Sequence, residues 1–87
     1  MSAIQGARVA MNADQLRVAV RALLASGVLP DGRPDRTWGG RGADFSCAVC
    51  SAAVGSEELE IEAYFGSQVY HLHTECFMTW QEERQRG

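Results

Sequence analysis

From Asn12 onward the apolar residues recur at helical intervals. Leu16, Ala19, Val20, Leu23 and Leu24 fall at i, i+3, i+4, i+7 and i+8, one face of a 3.6-residue period. Asn12 can cap the start of this helix, with Gln15 three residues on as its capping-box partner. Gly27 suits the left-handed position that ends a helix, and Pro30 prevents a return. A helix is therefore predicted over 12–27. Residues 28–46, VLPDGRPDRTWGGRGADFS, follow neither the helical nor the strand period, and glycines and prolines punctuate them. A loop is predicted over 28–43. A solvated Trp38 would expose much apolar area, so Trp38 is expected to pack between the helix and the C-terminal half.

Beyond Glu57 the pattern changes to strict alternation. Leu59, Ile61, Ala63 and Phe65 share one parity, and Glu58, Glu60, Glu62 and Tyr64 share the other. This predicts a strand with one buried face and one acidic face in water. Gly66-Ser67 makes a turn, and QVYHLH reads as the returning strand. Thr74 can then cap a last helix, ECFMTWQEERQR, with Cys76, Phe77 and Trp80 on one face and Glu82, Glu83, Arg84 and Arg86 in water. The expected architecture is one small α+β domain: a flexible leader over 1–11, the N-terminal helix, the loop, and a C-terminal module over 44–87.

Size and charge narrow the function. A chain of 87 residues buries a modest fraction of its surface, and small scaffolds commonly add a disulfide, a metal or a partner. Residues 1–11 contain no continuous apolar run of signal-peptide length. The apolar stretch Val18 to Leu29 is too short to cross a bilayer. A cytoplasmic protein with no membrane contact is expected. The net charge is −3, which does not favour general attraction to nucleic acid. The charge is unevenly placed, however. Residues 1–43 carry six arginines against three aspartates, whereas residues 44–87 carry eight carboxylates against two arginines. The simplest account is two faces that attract each other within one fold; the other is that the basic front half meets an anionic partner. Arg17 and Arg21, four apart on the first helix, are then candidate partner contacts together with Trp38.

The three cysteines carry the strongest chemical signal. All lie in two short stretches, CAVC (Cys47 to Cys50) and HLHTEC (His71 to Cys76), which also contain both histidines. Cys47-x2-Cys50 can aim two thiolates at one ion from a tight turn, and His73-x2-Cys76 places two more ligands one helical turn apart. Three thiolates and an imidazole suit zinc better than magnesium or calcium, at one ion per chain. Four protein ligands leave no open position, which marks a structural site rather than a catalytic one. An odd cysteine count fits a disulfide framework poorly, and nothing around CAVC has the βαβ setting of a thioredoxin motif. In a strand, residues 71 and 73 share a face, so either histidine can reach the ion. The three-residue offset to Cys76 favours His73, leaving His71 as an alternative ligand or a neighbour of the site. Glu75 is a candidate acceptor beside the ligands, and equally an exposed acid of the first helical turn.

The order CxxC turn, β-hairpin, then a helix whose first turn supplies the second ligand pair resembles treble-clef zinc fingers. HTECF is similar to the end of the first zinc module of LIM domains, although no second set of four ligands follows Cys76. The pattern C-x2-C … E-x-E … H-x2-C-F-x2-W also resembles small bacterial proteins with a C-terminal treble-clef-like module. These resemblances span roughly residues 44–86 and imply zinc binding without an activity. An enzyme is not expected. His73-x-Glu75 and CxxC are pieces of a zinc deaminase, but their order is reversed, and Cys76 would fill the position a catalytic water needs. The expected function is that of a zinc-stabilised adaptor for an unidentified protein partner. The alternative is a small nucleic-acid-binding regulator that uses Arg17, Arg21, Arg33, Arg36 and Arg41.

Overall fold

The computed structural model describes residues 11–86. Two helices and a three-stranded antiparallel sheet follow in the order α1 (Ala13–Ser26), β1 (Arg36–Arg41), β2 (Leu59–Phe65), β3 (Gln68–His73) and α2 (Thr74–Arg86). The sheet order is β1-β2-β3. Residues 1–10 of the expected leader lie outside the described residues.

α1 starts as its sequence dictates. The Asn12 side chain accepts from Gln15 N at 2.8 Å, and Gln15 Oε1 accepts from Asn12 N at 2.9 Å. This reciprocal pair satisfies two orphan donors of the first turn and contributes about 1 kcal/mol. Gly27 ends the helix at φ 83°, and its N–H reaches Leu24 O, a conformation in which a Cβ would be strained. Leu16 and Val20 are buried, and Ala19, Leu23 and Leu24 pack against the core.

The core lies along α2, which packs against α1 and against β2 and β3 of the sheet. Ala63 and Leu72 project from β2 and β3 into it, and Trp80 of α2, fully buried, fills its centre. Phe65, Tyr70 and Phe77 surround the Trp80 ring at centroid distances of 5.4, 5.8 and 6.1 Å. The Trp80 indole N–H donates to Pro30 O at 3.1 Å, so a buried polar group finds its partner on the segment leaving α1.

Three features depart from the sequence pattern. First, residues 36–41, expected within a loop, form β1. They pair with β2 in the register Arg36↔Tyr64 through Arg41↔Leu59. Every β1 side chain is exposed, so no apolar alternation marks the strand in sequence. Second, Trp38 does not lie between the helix and the C-terminal half. It sits on β1 at 61% exposure, and Trp80 takes the wedge position instead. Third, two glutamates expected in water are buried, Glu60 on β2 and Glu83 on α2, while Leu59 is exposed. Each buried carboxylate has a nitrogen partner: Glu60 meets His71, and Glu83 meets Arg21 and Arg86. Such pairing is what allows a carboxylate to leave water.

Candidate metal centre

The segment between β1 and β2 folds back on itself before it reaches β2. Asp44 N donates to Val54 O, and Val54 N to Phe45 O, at 2.9 and 2.8 Å. A bridge between Ser46 and Ala53 closes the turn that carries CAVC. Inside it, Cys47 N donates to Ala52 O and Ser51 N to Cys47 O, at 2.8 and 2.9 Å, and Ser51 takes the left-handed conformation at φ 69°. Gly42 permits this close return, since a Cβ there would lie 2.2 Å from Gly55 O. The turn is joined to β3 by Ala48 N, which donates to His71 O at 2.9 Å. CAVC is thereby held against the strand that delivers the histidines.

The second pair comes from a junction with no linking residue. His73 ends β3 and Thr74 begins α2, so Cys76 lies in the first helical turn, three residues after His73. The ligand atoms of Cys47, Cys50, His73 and Cys76 all lie within 4.8 Å of one another and could hold a metal ion. Cys50 Sγ is 3.4 Å from His73 Nδ1, and Cys76 Sγ is 4.0 Å from the same nitrogen. A zinc tetrahedron with bonds of about 2.0–2.3 Å has ligand-to-ligand edges of roughly 3.5–3.8 Å. The observed separations bracket that range. Cys47, His73 and Cys76 are buried, Cys50 is half-buried, and all three cysteines are free thiols.

Crowding three sulfurs together changes their acidity. A hydrogen bond from the Cys76 side chain holds the Cys47 thiol well below its ordinary range, and burial opposes this. The same bond, burial and the Cys47 charge push Cys76 up. Burial is the main cause that raises Cys50. Val49 N–H also points at Cys47 Sγ, at 3.4 Å. The three thiols therefore compete to ionise, and a divalent cation at their centre removes that competition by stabilising every thiolate.

His73 is oriented from both sides. Its Nδ1 faces the sulfurs, and its Nε2 is 3.5 Å from Glu58 Oε1. Glu58 Oε1 is itself anchored by Gly55 N at 2.9 Å. A carboxylate on Nε2 favours the tautomer that leaves Nδ1 free to ligate. The acid beside the site is thus Glu58, not Glu75, which is exposed. Its value was hidden because Glu58 becomes a neighbour of His73 through the fold, not through sequence proximity.

His71 takes a different place. Its Nδ1 meets Glu60 Oε2 and lies 3.8 Å from Glu62 Oε2. Its ring stacks on Phe45 at 3.9 Å with a 7° interplanar angle. The candidate partner contacts are also placed. Arg17 pairs with Asp14 on its own helix. Arg21 Nε donates to Glu83 Oε1 at 2.7 Å and ties α1 to α2. Trp38 is on the exposed strand β1. Among the described residues no helix is long and apolar enough to cross a membrane. In comparisons with family models, curated proteins and solved structures, nothing matches this chain.

Proposed function

We propose that this protein is a zinc-stabilised, treble-clef-like domain that serves as an intracellular protein-interaction adaptor. The convergence of three sulfurs and one imidazole nitrogen, from CAVC and from the β3–α2 junction, carries the reading. Soft sulfur donors select zinc among common ions, and four protein ligands leave no position for a reacting water. The role of the ion is therefore to hold the turn, the hairpin and α2 at one point rather than to catalyse. Free thiols accord with a reducing compartment.

The adaptor reading is supported by β1. It is an edge strand with a large exposed aromatic side chain, Trp38, of the kind that anchors interfaces. Nucleic-acid binding has one observation in its favour: Arg36 and Arg41 flank Trp38 on this strand, which suits stacking combined with phosphate contacts. Against it, Arg17 and Arg21 are engaged by Asp14 and Glu83, and Glu62 lies directly across from Trp38 in the sheet.

Metal analysis of the purified, reduced protein should give one zinc per chain; no stoichiometric metal would end the zinc reading. Affinity capture with wild type and Trp38→Ser should show a protein partner that the variant loses. Titration with duplex and single-stranded DNA should show no binding at physiological salt. Binding that weakens steeply with salt and is lost in Trp38→Ser would replace the adaptor by the nucleic-acid reading.

A further inference from the structure

The sheet face that carries Trp38 has a second group of donors, separate from the sulfurs. The register aligns Trp38 with Glu62, and Glu62 with His71, across the three strands. On this face the ligand atoms of Glu60, Glu62 and His71 lie within 4.8 Å of one another. Each is held in place by something other than the group itself. Phe45 stacks flat on the His71 ring. The Tyr64 hydroxyl donates to Glu62 Oε1 at 2.9 Å, which leaves Oε2 toward His71. The Glu60 side chain is 4% exposed, so its carboxylate is fixed by burial.

Two carboxylates face one imidazole, with Arg41 lining the cleft beside them, and a buried carboxylate needs compensating positive charge. Among the described residues, His71 is the nitrogen partner of both Glu60 and Glu62. A cleft of about 110 Å³, lined by Trp38, Gly39, Gly40, Arg41, Glu60 and Glu62, opens beside the two carboxylates. It leaves room for water molecules to complete a coordination shell.

We propose that Glu60, Glu62 and His71 form a second metal site, one that takes a first-row divalent ion through one imidazole nitrogen and two carboxylate oxygens. Its donor set differs in kind from the sulfur quartet. Nitrogen and oxygen ligands suit cobalt, nickel, copper or zinc and do not demand thiophilic character. Three protein ligands also leave positions open to water, which the sulfur quartet does not. The site is therefore weaker and exchangeable. The same trio without an ion is one imidazole hydrogen-bonded among two carboxylates, and metal titration distinguishes the two.

The full chain, first loaded with one equivalent of zinc, is titrated with cobalt(II) at pH 7.5 and followed by absorption spectroscopy and metal analysis. Zinc content before the titration reads the sulfur site independently. One further cobalt per chain is expected, with d–d absorption and without a thiolate-to-cobalt charge-transfer band. His71→Ala and Glu62→Gln should each weaken cobalt binding by more than the roughly 10- to 100-fold that loss of an outer partner costs, while zinc stays at one equivalent. Glu62 is partly exposed, so its conservative substitution tests the site where His71→Ala disturbs packing on Phe45. The proposal is overturned if no cobalt binds up to millimolar concentration. It is equally overturned if bound cobalt carries the thiolate band, or if Glu62→Gln binds cobalt as wild type does.

Discussion

The helical layer and the CAVC–hairpin region are held together by different physics. Between α1 and α2, stability is spread over many side chains: Leu16, Val20, Leu29 and Trp80 are buried together, and the Arg21–Glu83 pair sits beside them. Around CAVC, the chain makes tight backbone turns with few apolar side chains, mainly Val49 and Val54, and its most buried functional groups are sulfur and imidazole. A distributed core degrades gradually when one residue is cut back. A site where three segments meet at four donor atoms fails all at once. On the proposed zinc reading, a chain this short stabilises two unlike regions, one by area and the other by coordination.

If the sulfur site holds zinc as proposed, the largest effect should come from removing it. Structural zinc in finger peptides is worth on the order of 10 kcal/mol or more at neutral pH, against roughly 5–15 kcal/mol for a whole domain. A strong chelator, or Cys76→Ser, should therefore abolish dispersed amide signals across Leu59–Phe65. An apo sample that keeps those signals would show that apolar packing alone holds the sheet, and the contrast between the regions would disappear.

Trp80→Ala cuts the helical layer at its centre. Losses of about 3–5 kcal/mol are usual for such truncations, so the thermal midpoint should fall sharply while zinc stoichiometry stays at one. Trp80→Phe should cost less, because it keeps most of the burial and loses the bond to Pro30 O. Release of zinc from folded Trp80→Ala would show that the two regions are one cooperative unit.

Glu83 sharpens the comparison through pH. The hydrogen bond from Arg21 holds its carboxyl below the ordinary glutamate value, and burial opposes it. A folded-state pKa lower than the unfolded one stabilises the protein above the unfolded value of about 4.3. That contribution is lost as pH falls through the lower folded value. The gap in thermal midpoint between wild type and Glu83→Gln should stay constant from neutral pH to about 5 and close below the ordinary glutamate range. Reading the gap removes any acid-driven effect common to both proteins, loss of the proposed zinc included. A gap that persists unchanged into strong acid would mean that Glu83 acts by shape and not by charge.

The smallest effect on stability belongs to Trp38. An exposed side chain on an edge strand should change stability by no more than about 0.5 kcal/mol when replaced, so Trp38→Ser should melt with wild type. A large destabilisation would mean that Trp38 is buried in the folded protein, against its position on β1.

How much of this was legible depended on whether the signal was local. The Asn12–Gln15 cap, the α1 stripe, the Gly66-Ser67 turn and the two ligand pairs Cys47–Cys50 and His73–Cys76 all rest on neighbours within a few residues, and the observed elements follow them. The predictions about Trp38, Glu60 and Glu83 rested on assuming which side of an element faces water. In each case the outcome was set by a partner far away in the chain: β2 for β1, His71 for Glu60, and Arg21 for Glu83.

By itself, the sequence determined the donor atoms, their chemical softness and the turns that present them, because these depend on residue type and short spacing. Tertiary structure decided that RTWGGR becomes an edge strand, because β2 supplies its backbone partners and no side chain of it needs burial. It decided which tryptophan is buried, because Trp80 of α2 packs on Phe65 and Tyr70 of the hairpin and reaches Pro30 O beyond α1. It also separated the histidines. His73 turns toward the sulfurs at the end of β3, whereas His71, two residues earlier, is drawn to Glu60 and Glu62 on the neighbouring strand. Sequence spacing places both histidines on one face; the residues packed opposite each of them assign its chemistry.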